Sequence, residues 1–216
     1  MHQITDPPIL YFGTPVVLIS TLNCDGTPNL APMSSAWWLG SHAMLGLSAR
    51  SLTTQNLLRE RECVLNLPDV TMVEHVDRIA KTTGSSPVPE TKLRRGYRHV
   101  ADKFGCAELS PIASDIVKPP RAAQCPIQLE ATLVDAHSFG SFARALEVRI
   151  ERVHAEEHVL ATPNRINPDE WRPLIMSFQR FYGLTSEQAG TSRLAEIPEE
   201  SYRVRSYQET APRFSR

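Results

Sequence analysis

The residues of this chain best suited to chemistry lie in one short run, Ser48-Ala49-Arg50-Ser51-Leu52-Thr53-Thr54-Gln55-Asn56. Hydroxyls and amides cluster there around a single arginine. Hydroxyls are compact hydrogen-bond donors, and a guanidinium makes charge-assisted bonds to phosphate oxygens. The run stands where a strand-like segment gives way to a helical one. The first N–H groups of a helix lack internal partners and carry partial positive charge, so such a corner favours an anion. Ser51 or Thr53 is also an ordinary helix cap. The local pattern alone leaves both readings open.

A second run, Asn29-Leu30-Ala31-Pro32-Met33-Ser34-Ser35, precedes the first. Pro28 and Pro32 cannot donate to a ladder, so the strand is expected to be irregular or to lie at an edge. An irregular strand would leave backbone N–H groups free for a planar heteroaromatic. The plainer reading is an edge strand ending in a bulge.

Other chemistry finds little footing. No G-x-G-x-x-G, P-loop lysine, G-x-S-x-G or H-E-x-x-H pattern occurs. Of the histidines, only His154 and His158 have a suggestive spacing. They fall in a strand-like segment, where that spacing does not chelate, so no metal is expected. No acid pair suggests glycosidase work. Cys24, Cys63, Cys106 and Cys125 lack C-x-x-C spacing and read as free thiols, mostly small buried side chains.

The elements that must position these runs follow from periodicity. Pro15–Leu22 is β-branched and apolar, a buried strand. Asp25-Gly26 marks a hairpin. His42–Ala49 reads as a strand, Ser51–Glu60 as a capped helix and Cys63–Leu67 as a strand that Pro68 ends. Met72–Lys81 has the pattern of an amphipathic helix, Thr82–Pro89 is loop, and a short helix is expected over His99–Phe104. Gln124–Ala136 and Ala143–Leu160 alternate as two long strands, joined by His137–Phe142 and therefore antiparallel. Strands outnumber helices, and a small antiparallel barrel with peripheral helices is the natural closure.

The chain has 216 residues with 23 basic and 24 acidic side chains. That length suits a single domain over 1–216, with residues about 70–120 an excursion between strands and a polar tail from about 196 to 216. A net charge of -1 argues against nucleic acid as a partner. The N-terminus has no signal-peptide pattern and no apolar stretch approaches a membrane span. A cytoplasmic protein with no membrane partner is the expectation. Nineteen of the 23 basic residues are arginine, a weak lean towards anion recognition.

Together the two runs carry a resemblance. Asp25-Gly26-Thr27-Pro28-Asn29-Leu30-Ala31-Pro32-Met33-Ser34-Ser35, then Arg50-Ser51-Leu52-Thr53-Thr54-Gln55-Asn56, then Val64-Leu65-Asn66-Leu67-Pro68, resemble the flavin reductase-like, FMN-binding split-barrel family. Cys125–Glu130 and Arg180-Phe181-Tyr182-Gly183-Leu184 look similar as well. The resemblance spans about 15–185, with the insert less typical. It implies a mainly β fold, a split β-barrel with peripheral helices, that forms a homodimer with flavin near the interface. It implies FMN, with FAD the alternative, reduced by NADH or NADPH. Electrons would then pass to a partner oxygenase or another acceptor.

On that resemblance Asn29, Ala31, Pro32, Met33, Ser34 and Ser35 lie along the flavin ring. Ser48, Arg50, Ser51, Thr53 and Thr54 serve the ribityl phosphate. Asn56 braces the turn. Trp37 and Trp38 either wall the ring or fill a core or interface. Phe178, Phe181 and Tyr182 are assigned to packing. The basic stretch Lys92–His99, with Arg94, Arg95 and Arg98, is either a solvated face or a contact for the nicotinamide cofactor's phosphates. No catalytic side chain is required, because the cofactor carries the chemistry. Two alternatives differ in class: an FMN-bearing electron carrier with no nicotinamide site, and a flavin-free split-barrel module that binds another small ligand.

Overall fold

A computed structural model describes residues 1–185 and 188–199. Seven antiparallel strands form the main sheet: β1 (Val17–Leu22), β2 (Pro28–Met33), β3 (Ala36–Leu39), β4 (His42–Ser48), β5 (Glu62–Leu67), β6 (Ile127–Phe139) and β7 (Ala143–Ala155). Their spatial order is β2-β1-β5-β6-β7-β4-β3. The two edge strands, β2 and β3, are consecutive in the chain and are joined by Ser34 and Ser35 alone. The sheet must therefore curl until its edges meet. The result is a mainly β fold, a split barrel, with helices outside it.

The apolar run of β1 is continuous because both of its faces are covered. Val17 and Ile19 point into the barrel with Leu45, Leu57, Leu65 and Leu146. Leu18, with Leu30 of β2, points outward into a second cluster of Met72, Val76, Ile79, Phe104 and Leu174. Insert residues thus form a lid on the outer face of β1 and β2. Alternation of side chains across a strand permits this only when each face meets an apolar layer.

The helix predicted over 51–60 is α1 (Leu52–Glu60), capped by Ser51, whose hydroxyl accepts from the Thr54 N–H. The helix expected over 72–81 is shorter. A 3-10 turn, Val70–Met72, precedes α2 (Val73–Arg78), because the Asp69 carboxylate caps the Thr71 N–H. α3 (Glu90–Leu93) was not foreseen. The short helix expected over 99–104 is α4 (Lys103–Ala107), displaced because Asp102 caps it at the Gly105 N–H.

β6 and β7 pair antiparallel, as their alternation required, and β6 runs on to Phe139, leaving only residues 140–142 as the link. β7 stops at Ala155, and a 3-10 turn, Glu157–Val159, follows. β3, with both adjacent tryptophans, was missed. The tail from 200 onward lies outside the described residues. Among the described residues no helix is long and apolar enough to cross a membrane.

Of the two expectations for β2, irregular or at an edge, the structure bears out the edge, and the strand is regular. Its register against β1 is unbroken from Leu22↔Pro28 to Val17↔Met33. The Asn23 N–H donates to the Thr27 carbonyl at 2.9 Å, which fixes the alternation of close and open pairs. Asn29, Ala31 and Met33 then bond to β1. Pro28, Leu30 and Pro32 face the open edge, where a missing N–H costs nothing.

Candidate functional site

The hydroxyl run forms a tight corner at the mouth of α1. The Ser48 carbonyl accepts the Ser51 N–H at 3.0 Å and the Thr54 hydroxyl at 2.8 Å. The Ser51 hydroxyl caps Thr54 N–H at 3.1 Å, and the Ser51 carbonyl takes the Gln55 N–H at 3.0 Å. Of the two caps the plainer reading offered, Ser51 is the one the structure uses, and the Thr54 hydroxyl ties the helix back to the turn. The Leu52 and Thr53 N–H groups have no partner among the described residues, and they are the donors a helix start offers to an anion.

Arg50 is exposed, with no acidic partner among the described residues. Ser48 is exposed and Thr53 buried. No carboxylate occurs from Ser48 to Asn56. This donor set suits a phosphate group.

Buried amides tie the corner to the barrel. Asn29 donates to the Thr53 hydroxyl at 3.2 Å and to the Thr21 hydroxyl at 3.3 Å. Asn56 donates to the same Thr21 hydroxyl at 3.1 Å and to the Asn23 side chain at 2.9 Å. The two runs singled out in the sequence are therefore adjacent in space. Asn56 is a brace, as expected, and Asn29 acts as one too. Accepting from Asn29 leaves the Thr53 hydroxyl proton free to donate.

Ala31, Pro32, Met33, Ser34 and Ser35 are half-buried along the split. The Ser35 carbonyl accepts from Gly46 N–H at 2.7 Å. A Cβ at position 46 would stand 3.0 Å from that of Ser35, so the glycine permits the approach. The Ser34 and Ser35 N–H groups have no backbone acceptor among the described residues. The free donors expected along the strand thus sit at its end. Trp38 packs against the barrel core while Trp37 is exposed. Phe178 stacks edge-to-face on Phe12.

Two groups outside this site were not foreseen. Asp115, Glu130 and His154 bring ligand-type atoms within 4.8 Å of one another. Glu130 is fully buried, and its two oxygens accept the N–H groups of Asp115, Ile116 and Val117 and the Nε2 of His154. Arg152 binds the Asp115 carboxylate at 2.6 Å. Every Glu130 oxygen is engaged, so the cluster anchors the loop 115–117 to β6 and β7. Burial alone would raise the Glu130 pKa, but the four donors hold it down to about 2.

The second group is the lysines. All four lie between 81 and 118, and Lys103 is buried. The contrast with an otherwise arginine-rich chain was a sequence signal that passed unread. Arg94, Arg95 and Arg98 are exposed, with Arg94 paired to Glu90, as on a solvated face.

The seven-stranded sheet with its outer helices defines a split-barrel protein. Residues 9–185 match the family described as "Flavin reductase like domain", and the chain belongs to that family. It is 39% identical over 189 residues to "Uncharacterized protein YdfE" of Bacillus subtilis (strain 168), covering 87% of this chain and 91% of that one.

Among solved structures, the flavoredoxin of Desulfovibrio vulgaris (Miyazaki F) matches with a TM-score of 0.75 at 18% identity, covering 91% of this chain and all of that one. The nitrilotriacetate monooxygenase component B of Bacillus cereus matches with a TM-score of 0.68 at 20% identity, covering 83% and 88%.

Proposed function

We propose that this protein binds FMN, with FAD the larger alternative, and reduces it with NADH or NADPH for delivery to a downstream acceptor. The observation that carries the reading is the start of α1. Two free N–H groups, a free hydroxyl proton and an exposed arginine converge there without an opposing carboxylate. Arg50, Thr53 and the Leu52 N–H would hold the phosphate, with Ser48 beside them and Ser51 and Thr54 shaping the turn. Ser34 and Ser35 would face the polar edge of the flavin, with Asn29, Ala31, Pro32 and Met33 along it.

Flavin, when bound, supplies two-electron chemistry and accepts hydride from a nicotinamide. The chain's part is to position and to stabilise. Fixed N–H donors at Ser34 and Ser35 would offset negative charge at the pyrimidine edge without reorganising. The unbroken β1–β2 ladder keeps those donors in place. The sheet itself donates no proton in this scheme.

The exposed apolar side chains of Trp37 and Leu39 on edge strand β3, and of Phe139 and Phe142 at the β6–β7 turn, support a homodimer. The likeness to a monooxygenase component B supports an oxygenase as the acceptor. The likeness to flavoredoxin favours a second reading, an FMN electron carrier with no nicotinamide site.

The test is anaerobic. Protein purified without added flavin is incubated with FMN, desalted and mixed with NADH or NADPH. Rapid bleaching of the yellow form by either is expected. Yellow protein that neither bleaches is the carrier. Protein that stays colourless after FMN treatment overturns flavin binding.

A further inference from the structure

The open end of the β6–β7 hairpin carries a cavity of about 770 Å³. It lies between the last residues of β7 and the short hairpin that pairs Leu160–Thr162 with Arg165–Ile166. Val153, Leu160, Pro163 and Ile166 supply apolar walls, while Arg121, Gln128 and His154 supply polar ones. That size and that mixture suit a small organic ligand.

Arg121 is the charged group of the cavity that is fixed most firmly. Its Nε and Nη2 donate to the Ala113 carbonyl at 3.2 and 2.9 Å, and its Nη1 donates to Gln128 Oε1 at 2.9 Å. The Gln128 amide is itself oriented, because its Nε2 donates to the carbonyls of Ala122 and Cys125 at 2.9 Å each. The backbone beside Arg121 is tied as well, with the Ala122 N–H donating to Asn66 Oδ1 at 2.7 Å. The guanidinium is half-buried, and among the described residues all its partners are neutral oxygens. One N–H remains on each terminal nitrogen, the pair that a carboxylate's two oxygens match. Such a cation, already ordered and partly desolvated, gains most from an anion that arrives with its own counter-charge.

Two neighbours narrow the ligand. Glu156 also lines the cavity and lies 3.0 Å from His158 Nδ1 instead of pairing with Arg121. Its carboxylate disfavours a second negative charge on the ligand, so a monoanion is preferred over a phosphate dianion. Arg165, at the cavity wall, is held by Glu199 at 2.9 Å in an exposed pair of small worth. The α1 corner is remote. Gln128 pairs with His154 at this end of the hairpin, whereas Ala143 at the other end pairs with Ser48. The strand from Gln128 to Phe139 runs on the order of 30 Å.

We propose that this cavity is a second ligand site, separate from the flavin corner, that takes a small monocarboxylate with an apolar body and seats the carboxylate on Arg121.

The experiment is isothermal titration calorimetry of the full chain with naphthoate, its neutral amide and naphthyl phosphate. Naphthoate should bind with a dissociation constant below about 1 mM, and the other two at least about ten-fold more weakly. Arg121→Met should lose roughly ten- to hundred-fold for naphthoate, the scale of one charge-assisted contact, and leave FMN affinity unchanged. Arg121 also tethers Ala113, so a second variant guards against a folding defect. Val153→Trp, at an exposed position, fills the cavity and should abolish naphthoate binding with little change in melting temperature. Wild type that does not bind naphthoate overturns the site. So do equal affinities for acid and amide, or an unchanged naphthoate affinity in either folded variant. Displacement of naphthoate by FMN or NADH would put the probe in the flavin pocket and overturn it too. Naphthoate binding in a chain that takes up no flavin would leave this site standing and sink the flavin reading alone.

Discussion

Asn29 and Asn56, one on an edge strand and one on a helix, donate to the same buried hydroxyl, that of Thr21. The oxygen accepts both amides, so strand β1, strand β2 and helix α1 meet at one atom. This contact locks the helix start against the sheet, and it is the reason the two sequence runs face one another.

Thr21→Val should therefore destabilise the fold. The substitution keeps shape and strands two buried amide donors, each worth about 1–3 kcal/mol when unsatisfied. For a chain of this size each kcal/mol lowers the melting temperature by roughly 2–4 °C. Urea or thermal unfolding would show it, and a change under about 0.5 kcal/mol would refute the role of Thr21.

Arg50→Ala combined with Thr53→Ala should weaken FMN retention at least about ten-fold, since both a charge and a hydroxyl donor leave the corner. The fold should lose little through Arg50, which is exposed. An unchanged FMN affinity by fluorescence would reject the phosphate assignment.

Acid should unlock the loop 115–117. The Glu130 pKa is held near 2 in the folded chain and returns to about 4.5 when unfolded. The unfolded chain binds the extra proton first, so stability is intact above 4.5 and falls as pH drops towards 2. The slope from this one group is about 1.4 kcal/mol per pH unit. Glu130→Gln should be less stable at neutral pH and show a flatter acid limb. A parallel limb in the variant would count against the anchor.

Lys103 predicts the opposite limb. Its folded pKa of about 8 lies below the ordinary 10.5, so between those values the unfolded chain holds a proton the folded one has released. The stability of flavin-free protein should rise with pH across that window. Lys103→Met should remove the rise. Denaturant midpoints taken at several alkaline pH values give the answer, and a wild-type curve that falls there would contradict the lowered pKa of Lys103.

Much of this was legible in one dimension. The continuous apolar run of β1, the alternation of β6 and β7 and the cap at Ser51 are local patterns, and local sterics and hydrogen bonds decide them. The prolines of β2 allowed an irregular strand or an edge strand, and the structure has a regular strand at the edge. Positions 28 and 32 both fall on the outward side of the ladder, and that parity depends on a partner strand. The insert was read as an excursion with loop chemistry. Its role as the outer layer on Leu18 and Leu30 could not be seen, because side chains such as Phe104 and Val76 find that cluster only when the chain returns on itself.

The residue sequence alone determined the strand-rich class, the helix that starts at a hydroxyl corner and the family pattern that joins them, because each depends on neighbours within a few positions. Only the tertiary structure decided that Asn29 and Asn56 share Thr21, that Glu130 gathers four donors, and that Lys103 lies buried near Lys92. Those facts depend on which distant segments exclude water from the same point, and burial is a property of the assembled layers.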